Sequence, residues 1–305
     1  MSDAHDLLPH GVEMPFADIA AALVHGGEKA VRMTPPRALT ATIVAVGPAQ
    51  RLAEAAGVLQ RLGARAAVRT ILISEGSESR PTVRIAEDTV ALAGLKASFI
   101  DNAVAALRLS SLPTLVWWRG GSPAVLDDLA RLADRIVLDD AEPRPVWARA
   151  VELFDRTAFS DLRWTRLTRW RALMAHFFDI PEVRGAASRF DALDIKGNDR
   201  IAASLFAAWL DESLGRAGAI RVTHVESPRG VFLEEVRLSN TEEVLTIELG
   251  RSGACILTSS EVHGHNGAAR MVPVGDQSDN ALLDEELQIR VRDLAFERAV
   301  KRALS

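Results

Sequence analysis

The stretch "LPTLVWWRGGS", residues 112–122, sets two adjacent indoles, a guanidinium, two glycines and a hydroxyl at the end of an apolar run. An arginine can hold a phosphate or carboxylate through two parallel hydrogen bonds, and glycines let a backbone approach such a group closely. The apolar run reads as a strand and the residues after it as a helix. Arg119, Gly120, Gly121 and Ser122 therefore fall at the carboxyl end of a strand, where open α/β sheets bind ligands. A tight turn whose arginine pairs with a nearby acid explains the same residues, so both readings stand. Successive strand side chains point to opposite faces. Trp117 and Trp118 then cannot line one wall, and one indole is expected in the core while the other flanks Arg119 as a recognition edge.

Other chemistry-bearing residues are sparse. "VAVGPAQR" (44–51) has one glycine and matches neither G-x-G-x-x-G nor a P-loop. His263 and His265 stand in a polar turn, "HGHNG", whose nearest acid is Glu261. That falls short of the three or four ligands of a zinc site, so no metal is expected. His176 lies near the end of a helical stretch, where the terminal carbonyls account for it. "LDD" (138–140) and "LDE" (210–212) pair carboxylates, but neither a G-x-S-x-G serine nor a readable Cys/His arrangement accompanies them. No catalytic residue and no cofactor is proposed from this pattern.

The elements that would position these groups alternate. "TATIVAVG" (40–47), "AVRTILIS" (67–74), "PTLVWW" (113–118) and "IVLDD" (136–140) are short apolar runs of the kind that form buried strands. "PTVRIAEDTV" (81–90) and "LKASFID" (95–101) are also read as strands. Helical stretches fall between them: 49–63, closed by Gly63; "NAVAALRLS" (102–110); and 124–135. "PFADIAAALV" (15–24) predicts a short helix, and "TPPRA" (34–38) a break after it. This alternation predicts a mainly parallel sheet with flanking helices.

"AEPRPVW" (141–147) reads as a hinge, and the texture changes beyond it. Residues 160–179 predict one amphipathic helix, N-capped by Ser160, with Trp164, Leu167, Trp170, Leu173, Met174 and Phe177 inward. Arg163, Arg166, Arg169 and Arg171 lie on its other side, a face that can be simply solvated or can dock an acidic partner. A second helix spans 199–215 between an Asp199 N-cap and a Gly215 C-cap. Five period-2 runs from 220 to 275 then predict an antiparallel meander, and a charged helix closes the chain over 279–304. The expected layout is an N-terminal extension (1–36), an α/β domain (37–145) and an α+β C-terminal domain (146–305).

Bulk properties narrow the function classes. The 305 residues carry a formal net charge of −5, which argues against a general nucleic-acid binder. The single Cys255 excludes an internal disulfide. No apolar run approaches the roughly 20 residues needed to span a bilayer, and the N-terminus lacks a signal-peptide pattern. A cytoplasmic location is expected.

Four stretches occur in a telling order: "LPTLVWWRG", "DLRWTRLTRWRALMAHFFD", "AAWLDESLG" and "LLDEELQIRVRDLAFERAV". From about Arg37 onward the chain resembles the OpcA family, the glucose-6-phosphate dehydrogenase assembly proteins of cyanobacteria and actinobacteria. The resemblance implies a non-enzymatic effector that binds the dehydrogenase, promotes its active oligomer and supports the oxidative pentose phosphate pathway. Trp117, Trp118, Arg119, Arg163, Arg166 and Arg169 are the expected partner contacts. The alternative is an α/β protein that takes a phosphorylated sugar or nucleotide at Arg119–Ser122. The chain departs from the family at "GARAAVRTILI", which keeps Arg69 but lacks the family's His-Pro-Ser-Arg. Thiol control through an internal disulfide, a property of photosynthetic members, has no second cysteine to use here.

Overall fold

A computed structural model describes residues 4–19, 38–76, 81–216, 218–240, 242, 244–262, 265–267, 269–289 and 291–305. They fall into two compact units, 1–162 with 279–293, and 163–278 with 294–305.

The first unit is built on an eight-stranded sheet. Its strands are β1 (Val12–Glu13), β2 (Ala41–Gly47), β3 (Val68–Glu75), β4 (Thr82–Ala86), β5 (Thr89–Leu95), β6 (Thr114–Trp118), β7 (Arg135–Leu138) and β8 (Ala158–Asp161). Their order is β1-β4-β5-β3-β2-β6-β7-β8. All neighbours from β5 to β8 run parallel, and the β4–β5 and β1–β4 pairs are antiparallel. The continuous burial of β2 and β6 explains their unbroken apolar sequences, since parallel strands are covered on both faces. Helix Ala49–Ala66 packs on β2 and β3, and helix Asp279–Gln288 packs against it. The mainly parallel α/β expectation holds.

The second unit carries β9 (Ala192–Lys196), β10 (Arg221–Val225), β11 (Glu235–Asn240), β12 (Leu245–Ser252), β13 (Cys255–Val262), β14 (His265–Asn266) and β15 (Arg270–Pro273). The order is β10-β9-β11-β12-β13-β14, with β15 also on β13. Every pair is antiparallel except β9–β10, which helix Arg200–Ser213 connects as a parallel crossover. Helices Thr168–Phe177 and Arg200–Ser213 pack on this sheet. Leu193, Ile195, Val236, Leu238, Ile247 and Leu249 are buried along one of its faces.

Several expectations change in detail, each for a tertiary reason. Residues 160–179 are not one helix. Ala158–Asp161 pairs with β7, so Ser160 is a strand residue and not a cap, and the helical part divides into Leu162–Arg166 and Thr168–Phe177. "LKASFID" is not a strand, because its residues form a 3-10 turn, Ala97–Phe99, and start helix Ile100–Leu107. The hinge expected at 141–147 is the first turn of helix Pro143–Leu153, where proline fits because its missing N–H would be unpaired anyway. The meander loses its first member, since β10 pairs with β9, a strand the sequence reading passed over, and not with β11. The charged helix of 279–304 is two helices, Asp279–Gln288 and Leu294–Leu304, one in each unit.

Asp199 does cap its helix, its carboxylate accepting from Ala202 N at 2.8 Å, and Gly215 follows the helix in the left-handed region. In the N-terminal extension, β1 pairs with β4 and Leu7 is buried in the first core. The helix expected at 15–24 begins at 16–19; its remainder and most of the break at 34–38 lie outside the described residues.

Gly63 does not end its helix either. The helix runs to Ala66, and Ala67 takes the left-handed conformation at φ 49° and ψ 56°. A side chain there costs about 1–2 kcal/mol, which glycine avoids. Ala67→Gly is expected to stabilise the chain by about 0.5–1 kcal/mol after glycine's extra chain entropy is counted. Chemical denaturation checks this, and a loss of stability would contradict it.

Candidate functional site

The first sheet reverses its winding beside β2. The chain goes from β2 to β3 on one side and later returns to β6 on the other. The crevice above the carboxyl ends of β2 and β6 is the place where such sheets hold ligands, and Arg119 lies at this point. Its backbone N–H donates to Val46 O at 2.7 Å, continuing the β2–β6 ladder. Its guanidinium carbon lies 4.4 Å from the centre of the Trp117 ring. Nε is 3.2 Å from Asp139 Oδ2, and Nη2 is 3.6 Å from Glu54 Oε2. The side chain is only 6% exposed. Arg51 donates to the Arg119 carbonyl at 2.9 Å and also faces Asp139 at 3.5 Å.

The glycines serve this packing. Gly120 and Gly121 both have φ of +121°. A Cβ at Gly121 would stand 2.4 Å from Glu75 Oε2, which itself accepts from Ser122 N at 2.9 Å. At the end of β2, a Cβ at Gly47 would press on Arg119 Cβ at 3.0 Å. Glu54, Glu75, Asp139 and Asp140 therefore gather around the Arg119–Ser122 loop. The arginine is already stacked and ion-paired, and four carboxylates would repel an incoming phosphate. This geometry speaks against the anion-binding reading of Arg119, Gly120, Gly121 and Ser122 and favours the tight turn with its acid partners.

Trp117 and Trp118 are both 0% exposed. Trp117 joins the core formed with Leu52, Leu59 and Leu62 of helix Ala49–Ala66, and Trp118 points to the opposite face. The expectation that one indole would remain at a recognition edge is not met. A parallel sheet covered on both faces buries both of them.

In the second unit, Arg163 Nε donates to Asp199 Oδ2 at 3.1 Å, so one carboxylate caps a helix and fixes an arginine. Arg166 lies over the Phe232 ring at 5.3 Å, and Arg171 lies 3.4 Å from the centre of the Trp164 ring. Of the arginines expected on a solvated face, Arg169 is the exposed one, while Arg163, Arg166 and Arg171 are half-buried. The inward residues Trp164, Leu167, Trp170, Met174 and Phe177 are buried as expected, while Leu173 is only half-buried.

The paired carboxylates also have structural employment. Asp139 holds two arginines, and Asp140 accepts from Glu142 N in a turn. Asp211 accepts from Gly218 N and from Arg302 at 2.8 Å. His176 faces Asp179 at 3.3 Å and Arg270 at 3.0 Å. A cavity of about 120 Å³ at the amino ends of β2, β6, β7 and β8 is lined by Thr114, Asp134, Arg135 and Glu286 among others. Ligand sites usually start near 300 Å³, and this one has room for about four waters. Its Arg135–Glu286 contact, 2.5 Å, is a buried ion pair that Ser160 Oγ completes by donating to Glu286. Sequence reading missed both this pair, whose members stand far apart along the chain, and the Glu234 cluster described below, where Ser227 and Arg229 are near Glu234 in sequence and Lys196 is not.

Glu234 accepts from Ser227 Oγ and faces Lys196 at 3.1 Å and Arg229 at 3.8 Å. The serine hydroxyl, helped by Lys196 and Arg229, holds this carboxyl below the ordinary glutamate value.

The fold is an α/β unit with a mainly parallel sheet, joined to a unit with a mixed, mostly antiparallel sheet. The comparisons are more specific. Residues 157–300 match the family described as the C-terminal domain of the glucose-6-phosphate dehydrogenase subunit. A stretch of 125 residues is 32% identical to the putative OxPP cycle protein OpcA of Synechocystis, over 38% of this chain and 26% of that one. The chain thus matches about a quarter of that relative's length. Both matches bear out the resemblance to the OpcA family, the first over residues 157–300 and the second over 38% of the chain. A biliverdin reductase structure from Synechocystis, solved with biliverdin and NADP+, aligns over 87% of this chain and 97% of its own at 10% identity and a TM-score of 0.43. A Caulobacter crescentus aldose-aldose oxidoreductase aligns over the same shares at 11% identity and a TM-score of 0.35. Among the described residues, no helix is long and apolar enough to cross a membrane.

The Glu234 cluster has a pH signature. A carboxyl with a depressed folded value adds stability above its unfolded value of about 4.3 and loses it as pH falls through the folded value. Ser227→Ala is expected to raise the Glu234 midpoint toward the ordinary value, so that acid destabilisation sets in at higher pH. Carboxyl NMR titration measures it, and an unchanged or lower midpoint would contradict the assignment.

Proposed function

We propose that this chain is a non-catalytic partner of glucose-6-phosphate dehydrogenase that promotes the enzyme's active oligomer and so serves the oxidative pentose phosphate pathway. The reading is carried by the match of residues 157–300 to a domain family named for that enzyme. The surroundings of Arg119 agree with it, since its guanidinium is stacked on Trp117 and faces Asp139 and Glu54, acids that disfavour a phosphorylated ligand there. The mechanism is preferential binding to the active oligomer, which shifts the equilibrium only by the difference in affinity for the two states. The surface of helices Leu162–Arg166 and Thr168–Phe177 is the proposed contact. Arg169 meets the partner directly, and Arg163 and Arg166 shape the ground beside it.

The test pairs the chain with the dehydrogenase of the same organism. Co-elution, a larger enzyme oligomer and a changed KM or kcat are expected. Arg169→Glu is expected to weaken the complex by about 1 kcal/mol, roughly fivefold, as for a charge at an interface rim. Absence of co-elution together with unchanged kinetics would overturn the proposal.

A further inference from the structure

The second sheet has an uncovered face. Its strand register sets Val225, Lys196, Glu235, Gly250, Leu257 and Met271 in one row across β10, β9, β11, β12, β13 and β15. The neighbouring row contains Asp194, Arg237 and Glu248. These side chains point away from the buried face of Val236, Leu238, Ile247 and Leu249. Antiparallel sheets commonly leave one polar face to water. This one differs at its rims, where Val225 is 54% exposed at one end and Leu257 and Met271 are 42% and 62% exposed at the other.

We propose that this face pairs with the same face of a second copy of the chain. A twofold axis between the copies, parallel to the strands and midway between β11 and β12, relates the columns of the row pairwise. It places Arg237 of each copy over Glu248 of the other, giving two ion pairs beside the axis. It also brings Val225 of each copy onto Met271 of the other, so that each apolar rim covers the opposite one. Glu235 then stands over Gly250, which has no side chain, and where a Cβ would meet nothing nearer than Glu248 Oε1 at 4.0 Å. Strands related by this axis run aligned, as in ordinary face-to-face sheet packing. The row carries nearly balanced charge, which suits self-pairing and gives a strongly acidic or basic partner nothing to select.

The size sets the strength. Six strands about 4.8 Å apart and five residues of about 3.3 Å span roughly 24 by 16 Å, near 400 Å² in plan on each copy. Both copies together bury about 800 Å² in plan, below stable interfaces and in the range of weak, transient ones. The pair is therefore concentration dependent, a monomer when dilute and a dimer when concentrated.

Sedimentation velocity of the full chain over a wide concentration range tests this. A monomer–dimer equilibrium is expected. Arg237→Glu and Glu248→Arg are each expected to weaken it about tenfold or more, and the double variant, with the charges exchanged, to restore it. Arg237 and Glu248 also stand opposite each other in one chain, so each single variant sets like charges across β11 and β12 and is expected to lower the unfolding temperature slightly, which the double variant recovers. A chain that stays monomeric at every concentration overturns the proposal, as does a dimer indifferent to Arg237→Glu. A double variant as weak as the single ones overturns it too. These readouts use the chain alone, so they stand apart from the dehydrogenase reading.

Discussion

The position of Arg119 governs what the first unit can do. Its guanidinium lies on the Trp117 ring, which is itself in the core, and is tied to Asp139 and Glu54 above the point where the sheet reverses direction. A buried cation needs partners, since taking it out of water unpaired is costly. Asp139 and Glu54 supply ion pairs there, though Nε and Nη1 make no hydrogen bond, and Gly47, Gly120 and Gly121 make the space for the acids. One buried charge thus requires acids and small residues around it, at the end of the sheet where a ligand-binding protein of this architecture would hold its ligand.

A similar economy runs through the remainder of the first unit. Residues 279–293 return to it after the second sheet has been built. Glu286 meets Arg135 at the amino end of β7, and the same arginine donates to the Val291 carbonyl at 3.1 Å, where the chain is not helical. Asp161, wholly buried, accepts from Trp147 Nε1 at 3.0 Å. Each of these buried polar groups is matched by one distant along the chain. The fold is therefore specified by contacts that no local pattern contains.

That fact marks the limit of what was legible in the sequence. The apolar runs of β2, β3 and β6 announce themselves, because burial on both faces demands valine, isoleucine and leucine throughout. The helix from Arg200 was legible from Asp199, whose capping role is local chemistry. Strand β8 was not, since "AFSD" becomes a strand only by pairing with β7, which removes Ser160 from the cap it resembles. Strand β9 was not either, since Leu193 and Ile195 are its only large apolar residues, too few to make an alternating run stand out. At the candidate site, residue types suggested a recognition edge, but only the folded chain shows Trp117 and Trp118 both buried and Arg119 already engaged. Arg163 and Arg166 mislead in the same way. Their spacing suggests a solvated face, whereas Asp199 and Phe232 hold them.

With Arg119 stacked and ion-paired at the end of β6, we propose that the chain acts through protein surfaces and not through a metabolite bound there. Thermal unfolding of the full chain with glucose 6-phosphate, and separately with NADP+, tests it most directly, because a ligand of the folded state raises the melting temperature. An unchanged melting temperature with both compounds is predicted. A rise with either one, lost on replacing Arg119 by a lysine, would contradict the account.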